Sequence, residues 1–348
     1  MTDIKRFLRE YDGPAVRIME VCGTHTAEIS RNGIPGMLSE KIGLISGPGC
    51  PVCVTVTEYI DRLIALSKEP GHVVVSFGDM LRVPGKNGSL NDARAQGGNV
   101  RMVYSPMDML ALAAKNPGLK YIFAAVGFET TAPVYASLLD EAINNGIGNI
   151  SLLSALKTMP PVIDRVCANG AGIDGFIAPG HVSVVTGSDI FIPLAQKYKI
   201  PFAVAGFTGE ALLAAIYALV RRRGQACVMN LYPSAVTAQG NRKAQALVSK
   251  YFEPCGAAWR GIGAIPSSGM ILRQEYRRFD AGSFGLDSDE SKNPQCRCAQ
   301  VLTGECPPPQ CPLFGTACTP QDPQGACMVS TEGSCYHYLI NNRKQERL

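Results

Sequence analysis

No part of the chain carries a strong excess of one charge. Lys and Arg number 33 against 29 Asp and Glu, a net charge of +4, and the only basic run is Arg221-Arg222-Arg223. That balance gives no support to nucleic-acid binding. The longest apolar run, Leu212 to Val220, is too short to span a bilayer. The opening residues MTDIKRFLREYDG are charged and lack both an apolar stretch and a small-residue cleavage site, so no signal peptide is expected and the cytoplasm is the expected compartment. There is no Walker-type Gly-Lys-Ser/Thr loop and no G-x-G-x-x-G after a strand, so ATP or NAD use is not indicated.

Against these absences stand 13 cysteines. In a reducing compartment they point to metal binding or redox chemistry more than to a static disulfide framework. Seven lie between Cys296 and Cys335, two form Cys50-Pro-Val-Cys53, and Cys22, Cys167, Cys227 and Cys255 stand alone. The distribution suggests two chemical centres far apart in sequence.

With 46% hydrophobic residues the chain can bury a sizeable core, and its length favours two or three domains. From about residue 14 to 224, short apolar runs alternate with longer amphipathic segments, the pattern of parallel strands and crossover helices. The fold class expected is α/β. Strands are expected at Val16–Val21, Ile42–Ser46, Val73–Phe77, Val100–Tyr104, Tyr121–Val126, Ser151–Ala155, Gly175–Ala178 and Phe202–Ala205. Helices are expected at Val56–Ser67, Met107–Lys115, Thr131–Asn145, Ile190–Tyr198 and Gly209–Arg223. The loop Asn116-Pro117-Gly118 divides the strands into halves of four, giving expected α/β domains at 1–116 and 117–224 and a third domain at 225–348. Beyond Asp280 the chain is rich in Pro, Gly, Cys and Ser with little apolar periodicity. A metal centre can order such a segment, because ligand-binding free energy becomes folding free energy.

In open α/β sheets, ligands sit beyond the carboxyl ends of the strands. Chemically able residues cluster there: Cys22-Gly23-Thr24-His25 after the first strand, Gly47-Pro48-Gly49-Cys50-Pro51-Val52-Cys53 after the second and Gly78-Asp79-Met80 after the third. Gly127-Phe128-Glu129-Thr130-Thr131 follows the fifth and Pro179-Gly180-His181-Val182 the seventh. A helix start beside Cys22 favours a thiolate, which suits a nucleophile or soft metal ligand with a lowered pKa; a buried cysteine beside a Thr24 cap is the plainer reading. Cys50 and Cys53 form either a reversible dithiol or half a zinc site, and the tight Pro-Val turn favours the dithiol. Glu129 is a general base or supporting carboxylate, or simply complements a helix dipole. His181 is a ligand or proton donor, or a hydrogen-bonded turn residue. Asp79 and Arg82 are weaker candidates of the same kind. In the tail, seven closely spaced cysteines signal a metal site whose metal, zinc or an iron-sulfur cubane, and whose ligands the spacing leaves open.

Taken together, CGTH, GPGCPVC, GFETT, PGHV and the tail CPLFG...C...GACMVS.EG.C, in this order, resemble the HypD family of hydrogenase maturation factors over nearly the whole chain. The resemblance implies two α/β domains facing a cleft and a third domain holding a [4Fe-4S] cluster through C-x14-C-x6-C-x16-C, which Cys296, Cys311, Cys318 and Cys335 match. Cys298, Cys306 and Cys327 then fall outside the ligand set. It further implies action with the small partner HypC to hold a transient iron while cyanide and carbon monoxide ligands are installed, with HypE delivering cyanide as a thiocyanate. On this resemblance Cys22 ligates the iron, His25 assists it, and the cluster feeds electrons to Cys50 and Cys53. Two other readings are an iron-sulfur thiol-disulfide reductase, which has no need of Cys22, and a zinc-stabilised binding protein.

Overall fold

The computed structural model describes residues 2–290 and 293–345. Its strands are β1 (Val16–Glu20), β2 (Ile42–Ser46), β3 (His72–Ser76), β4 (Val100–Met102), β5 (Lys120–Gly127), β6 (Ile150–Lys157), β7 (Gly175–Pro179), β8 (Phe202–Ala205), β9 (Val228–Asn230), β10 (Phe252–Trp259) and β11 (Gly263–Leu272). They form two sheets, ordered β2-β1-β7-β8-β9 and β10-β11-β6-β5-β3-β4. The first is wholly parallel; the second is parallel through β3 to β6 and carries the β10–β11 hairpin antiparallel on its edge. The α/β expectation and all eight expected strands hold, each within a residue or two.

The central strands read as continuous apolar runs because helices cover both faces. Thus β5, KYIFAAVG, is buried from Tyr121 to Gly127. Crossover helices begin where local chemistry satisfies free N–H groups: Thr208 accepts from Ala211 N–H at 3.2 Å, and Pro occupies the first turns of the helices Ala132–Asn144, Met159–Ala168 and Ile192–Tyr198. Apolar side chains of the helices at Ala132–Asn144 and Gly209–Arg221 bury against opposite sheets. A larger core joins both sheets and takes in Ala326–Val329 of the tail.

The expected grouping of strands does not match the sheets. Strands β1 and β2 pair with β7 to β9, whereas β3 to β6 form the other sheet, so a cut at residue 116 separates strands that are hydrogen-bonded neighbours. The chain crosses between sheets after β2, after β6 and after β9. Periodicity reveals elements and not partners, which is why the cut fell at a Pro-Gly loop. Residues 225–280 likewise belong to the sheets: β9 extends one, and β10 and β11 extend the other.

Close backbone packing joins the first two strand ends. Gly23 N–H donates to Gly49 O at 3.0 Å, and a Cβ on Gly49 would fall inside the backbone of Val21 and Cys22. In contrast, a Cβ on Gly43, within β2, meets nothing nearer than Val16 O at 3.8 Å. Gly49→Ala is therefore expected to cost roughly 2 kcal/mol or more, while Gly43→Ala stays near neutral. Thermal melting followed by circular dichroism reads both, and equal midpoints would contradict the packing described.

Candidate functional site at the strand ends

Glu20 ends β1 with its carboxylate buried, and β1 then turns into the helix Gly23–Arg31 at Cys22. Cys22 N–H donates to Glu20 Oε2 at 2.9 Å, and the Thr26 hydroxyl donates to Glu20 Oε1. This carboxylate ties the strand end to the first helical turn. Burial lifts its pKa to about 7. Sequence reading missed Glu20; the available signal was a carboxylate inside an otherwise apolar strand.

Cys22 is buried, and its pKa is pushed up to about 12. Burial is the main cause, and the carboxylates of Glu20 and Glu332 add to it, while N–H groups of His25 and Thr24 pull the other way. The expectation of a lowered pKa is thus corrected: the helix start does favour the thiolate, but desolvation outweighs it. His25 is fully buried, and Nε2–H donates to Ala205 O at 3.3 Å, which leaves Nδ1 as an acceptor without a partner among the described residues. Burial lowers its pKa to about 4, so the ring is neutral at physiological pH. Phe207 lies between the two histidines, its centroid 4.9 Å from His25 and 3.9 Å from His181. Burial lowers the pKa of His181 as well.

Cys50 and Cys53 are joined as a disulfide with Cα atoms 5.2 Å apart, and both are buried. Cys53 Sγ lies 3.9 Å from Ala326 O, on the tail helix Ala326–Val329 that carries Cys327. The tail reaches the other motifs at the same place. Thr24 Oγ1 donates to Glu332 Oε1 at 3.2 Å, and a Cβ on Gly23 would run into the Glu332 side chain. Arg82 Nη2 donates to Val329 O at 3.2 Å. Asp79 caps Met80 N–H at 2.8 Å, close enough to Glu332 for the two carboxylates to raise that of Glu332 further above its burial shift. Glu332 is a second residue that sequence reading did not single out, though it stands in the quoted tail motif.

Glu129 serves a different end. Its Oε1 accepts from Met159 N–H at 2.8 Å, capping the helix Met159–Ala168, and its buried Oε2 has no partner among the described residues. Burial raises its pKa to about 7.

In the tail, Cys298, Cys311, Cys318, Cys327 and Cys335 are buried, and Cys296 and Cys306 are partly so. Cys296 faces Cys298, Cys311 and Cys318 electrostatically, and Cys335 faces Cys296, Cys298 and Cys318. Arg297 N–H points to Cys311 Sγ at 3.5 Å and Gln324 N–H to Cys318 Sγ at 3.3 Å. Cys327 Sγ stands 3.2 Å from Cys335 Sγ, and its side chain also hydrogen-bonds with Cys298. Of the three cysteines that the resemblance leaves outside the ligand set, Cys327 thus touches it at Cys335 and Cys298 touches Cys327.

The sequence that carries these motifs matches a known family of proteins. The HypD sequence model, described as the hydrogenase formation hypA family, matches residues 1–341. The chain belongs to the HypD family. It is 42% identical to the hydrogenase maturation factor HypD of Azotobacter vinelandii over 342 residues, covering 95% of this chain and 90% of that protein. Similarity to HypD of Escherichia coli K12 is 42% over 340 residues, with 95% and 90% covered. HypD of Rhizobium leguminosarum bv. viciae is 41% identical over 361 residues, with 99% and 94% covered.

A cubane cluster, as the family resemblance implies, needs four thiolates in a sheltered, N–H-rich setting. The tail fits that need in donor chemistry: Cys311, Cys318 and Cys335 are buried, and Cys311 and Cys318 receive backbone N–H groups. Among the described residues, no three His, Cys, Asp or Glu side chains stand grouped for a single metal ion. A cubane spreads its ligand sulfurs over its corners, farther apart than four sulfurs around one zinc ion. No helix among the described residues is long and apolar enough to cross a membrane.

The Glu129 environment yields a pH prediction. Its folded-state pKa of about 7 lies above the ordinary 4.5, so the folded chain holds an extra proton between those values. Stability from this group is therefore full below about pH 4.5 and falls as pH rises through 7, by on the order of 3 kcal/mol. Glu129→Gln keeps the Met159 cap and cannot ionise, so denaturant midpoints should fall less between pH 4.5 and 7.5 than in wild type. Parallel profiles would show that Glu129 is not held protonated.

Proposed function

We propose that this member of the HypD family acts in hydrogenase maturation as a scaffold on which an iron ion, its substrate, receives cyanide and carbon monoxide ligands. One observation carries the reading: the tail packs at once against Cys53 through Ala326 and against the Cys22 loop through Glu332. The Cys22 loop, the Cys50–Cys53 turn and the tail segment around Ala326 and Glu332, far apart in sequence, are therefore neighbours beyond the strand ends.

Cys22 is the thiolate for the iron. Loading a thiophilic cation displaces its proton, so the high thiol pKa makes metal binding release a proton and strengthen with pH. Neutral His25, with Nδ1 free, is an acceptor beside that loop. Cys296, Cys311, Cys318 and Cys335 would hold the [4Fe-4S] cluster, which supplies electrons one at a time when bound. The Cys50–Cys53 pair stores two electrons. As a dithiol it can reduce a thiocyanate, releasing cyanide and a thiol while the disulfide forms, so that two electrons and the protons balance. A HypE-type carrier would deliver the thiocyanate, and a HypC-type partner would offer the iron a second ligand. The cytoplasm, where thiols stay reduced, suits a tail that offers thiolates to a cluster.

A stand-alone thiol-disulfide reductase is the weaker reading. It has no need of Cys22, yet the Cys22 loop is one of the two elements that the tail packs against.

Anaerobic purification with iron and sulfide analysis tests the cluster. About four irons and four sulfides per chain with broad brown absorption are expected, both lost in Cys311→Ser. Zinc in place of iron would remove the electron supply. In a strain whose own HypD is deleted, Cys22→Ser is expected to abolish hydrogenase maturation while the brown colour persists. Full maturation with that variant would overturn the scaffold role and favour the reductase.

A further inference from the structure

A cavity of about 480 Å3 lies between the end of β6 and the β10–β11 hairpin, lined by none of the motif residues described above. Its volume is in the range of small-molecule sites. The hairpin is irregular here: the β10–β11 register shifts between Cys255 and Ala257, and β11 pairs with β6 only at Gly269 and Met270. That opening creates the space. The walls are mainly apolar, with Leu156, Ile265 and Met270 among them, and Phe284, 84% exposed, stands at the rim.

Lys157 is the exception in this wall. Its side chain is 3% exposed, and Nζ donates to Ala258 O at 2.7 Å and sits 5.5 Å from the Trp259 ring centroid. No carboxylate among the described residues lies within ion-pair distance of it. Asp289 is engaged by Arg260 at 3.4 Å and Gly261 N–H at 2.8 Å, and Asp287 is exposed at the rim. Both act on Lys157 from longer range, and Cys255 faces it as well. Buried cations are ordinarily paired, because an isolated ammonium in apolar surroundings is costly. Burial draws the Lys157 pKa down to about 8, which leaves the amine mostly charged at neutral pH and short of a counter-ion.

We propose that this cavity binds a small carboxylic acid with an apolar body, its carboxylate completing the unpaired Lys157 ammonium and its hydrocarbon filling the space beneath Phe284. The site stands apart from the cysteine chemistry and does not depend on it.

Octanoate is the probe, with octanol as the uncharged counterpart. Calorimetry on the anaerobically isolated full chain measures affinity, and the single tryptophan, Trp259, reports occupancy by fluorescence beside Lys157. Saturable octanoate binding with a Trp259 response is expected, at least tenfold tighter than octanol. Lys157→Met should erase that preference. Octanoate binding by the wild type should also weaken as pH rises through about 8, where Lys157 loses its proton, while octanol binding stays constant, and this measurement keeps the test open if Lys157→Met does not fold. Equal affinity for the acid and the alcohol, or no saturable binding by the wild type, would overturn the proposal.

Discussion

Everything in this molecule depends on how the cysteine-rich tail seats against the ends of the parallel strands. The tail has little apolar periodicity of its own, yet Ala326 to Val329 sit in the shared core and Glu332 presses on Gly23. Hydrophobic burial fixes one side of the seat, and a few polar contacts, Arg82 to Val329 O and Thr24 to Glu332, fix its orientation. A Cβ on Gly333 would fall inside the Cys327 backbone, so the turn ahead of Cys335 is also set by close packing. The proposed cluster would add its ligation to a seat that the protein part already specifies.

The site carries an unusual density of buried ionisable groups. Cys22, Glu20, Glu129 and Glu332 all have raised pKa values, and His25 has a lowered one, each chiefly because burial penalises the charged form. Such perturbation is characteristic of functional sites, although Glu129 demonstrates that a capping carboxylate acquires it too.

Much of this was legible in the sequence. Strands buried on both faces, such as Tyr121–Val126, announce themselves as apolar runs, and the chemically able residues stood where parallel sheets put their ligands. Strand pairing was not legible, because the chain passes between the sheets three times and periodicity is blind to neighbours. The hairpin β10–β11 escaped because FEPCGAAW and GAIPSSGMIL are poor in β-branched residues and broken by Pro and Gly. At the site, Cys22, His25, Cys50 and Cys53 were found from local motifs, whereas Glu20, Glu332 and Lys157 matter only through burial and contacts formed in three dimensions. The sign of the Cys22 pKa was misjudged for the same reason: sequence displays the helix start but not the depth of burial.

The central claim is that the tail thiols and the Cys50–Cys53 pair form one electron path. Its most direct test is to supply electrons from a reduced ferredoxin, a one-electron protein donor, under anaerobic conditions and map Cys50 and Cys53 by differential alkylation and mass spectrometry. The account predicts that both become alkylated in the wild type and stay disulfide-bonded in Cys311→Ser. Equal reduction in the two proteins, or none in either, would contradict it.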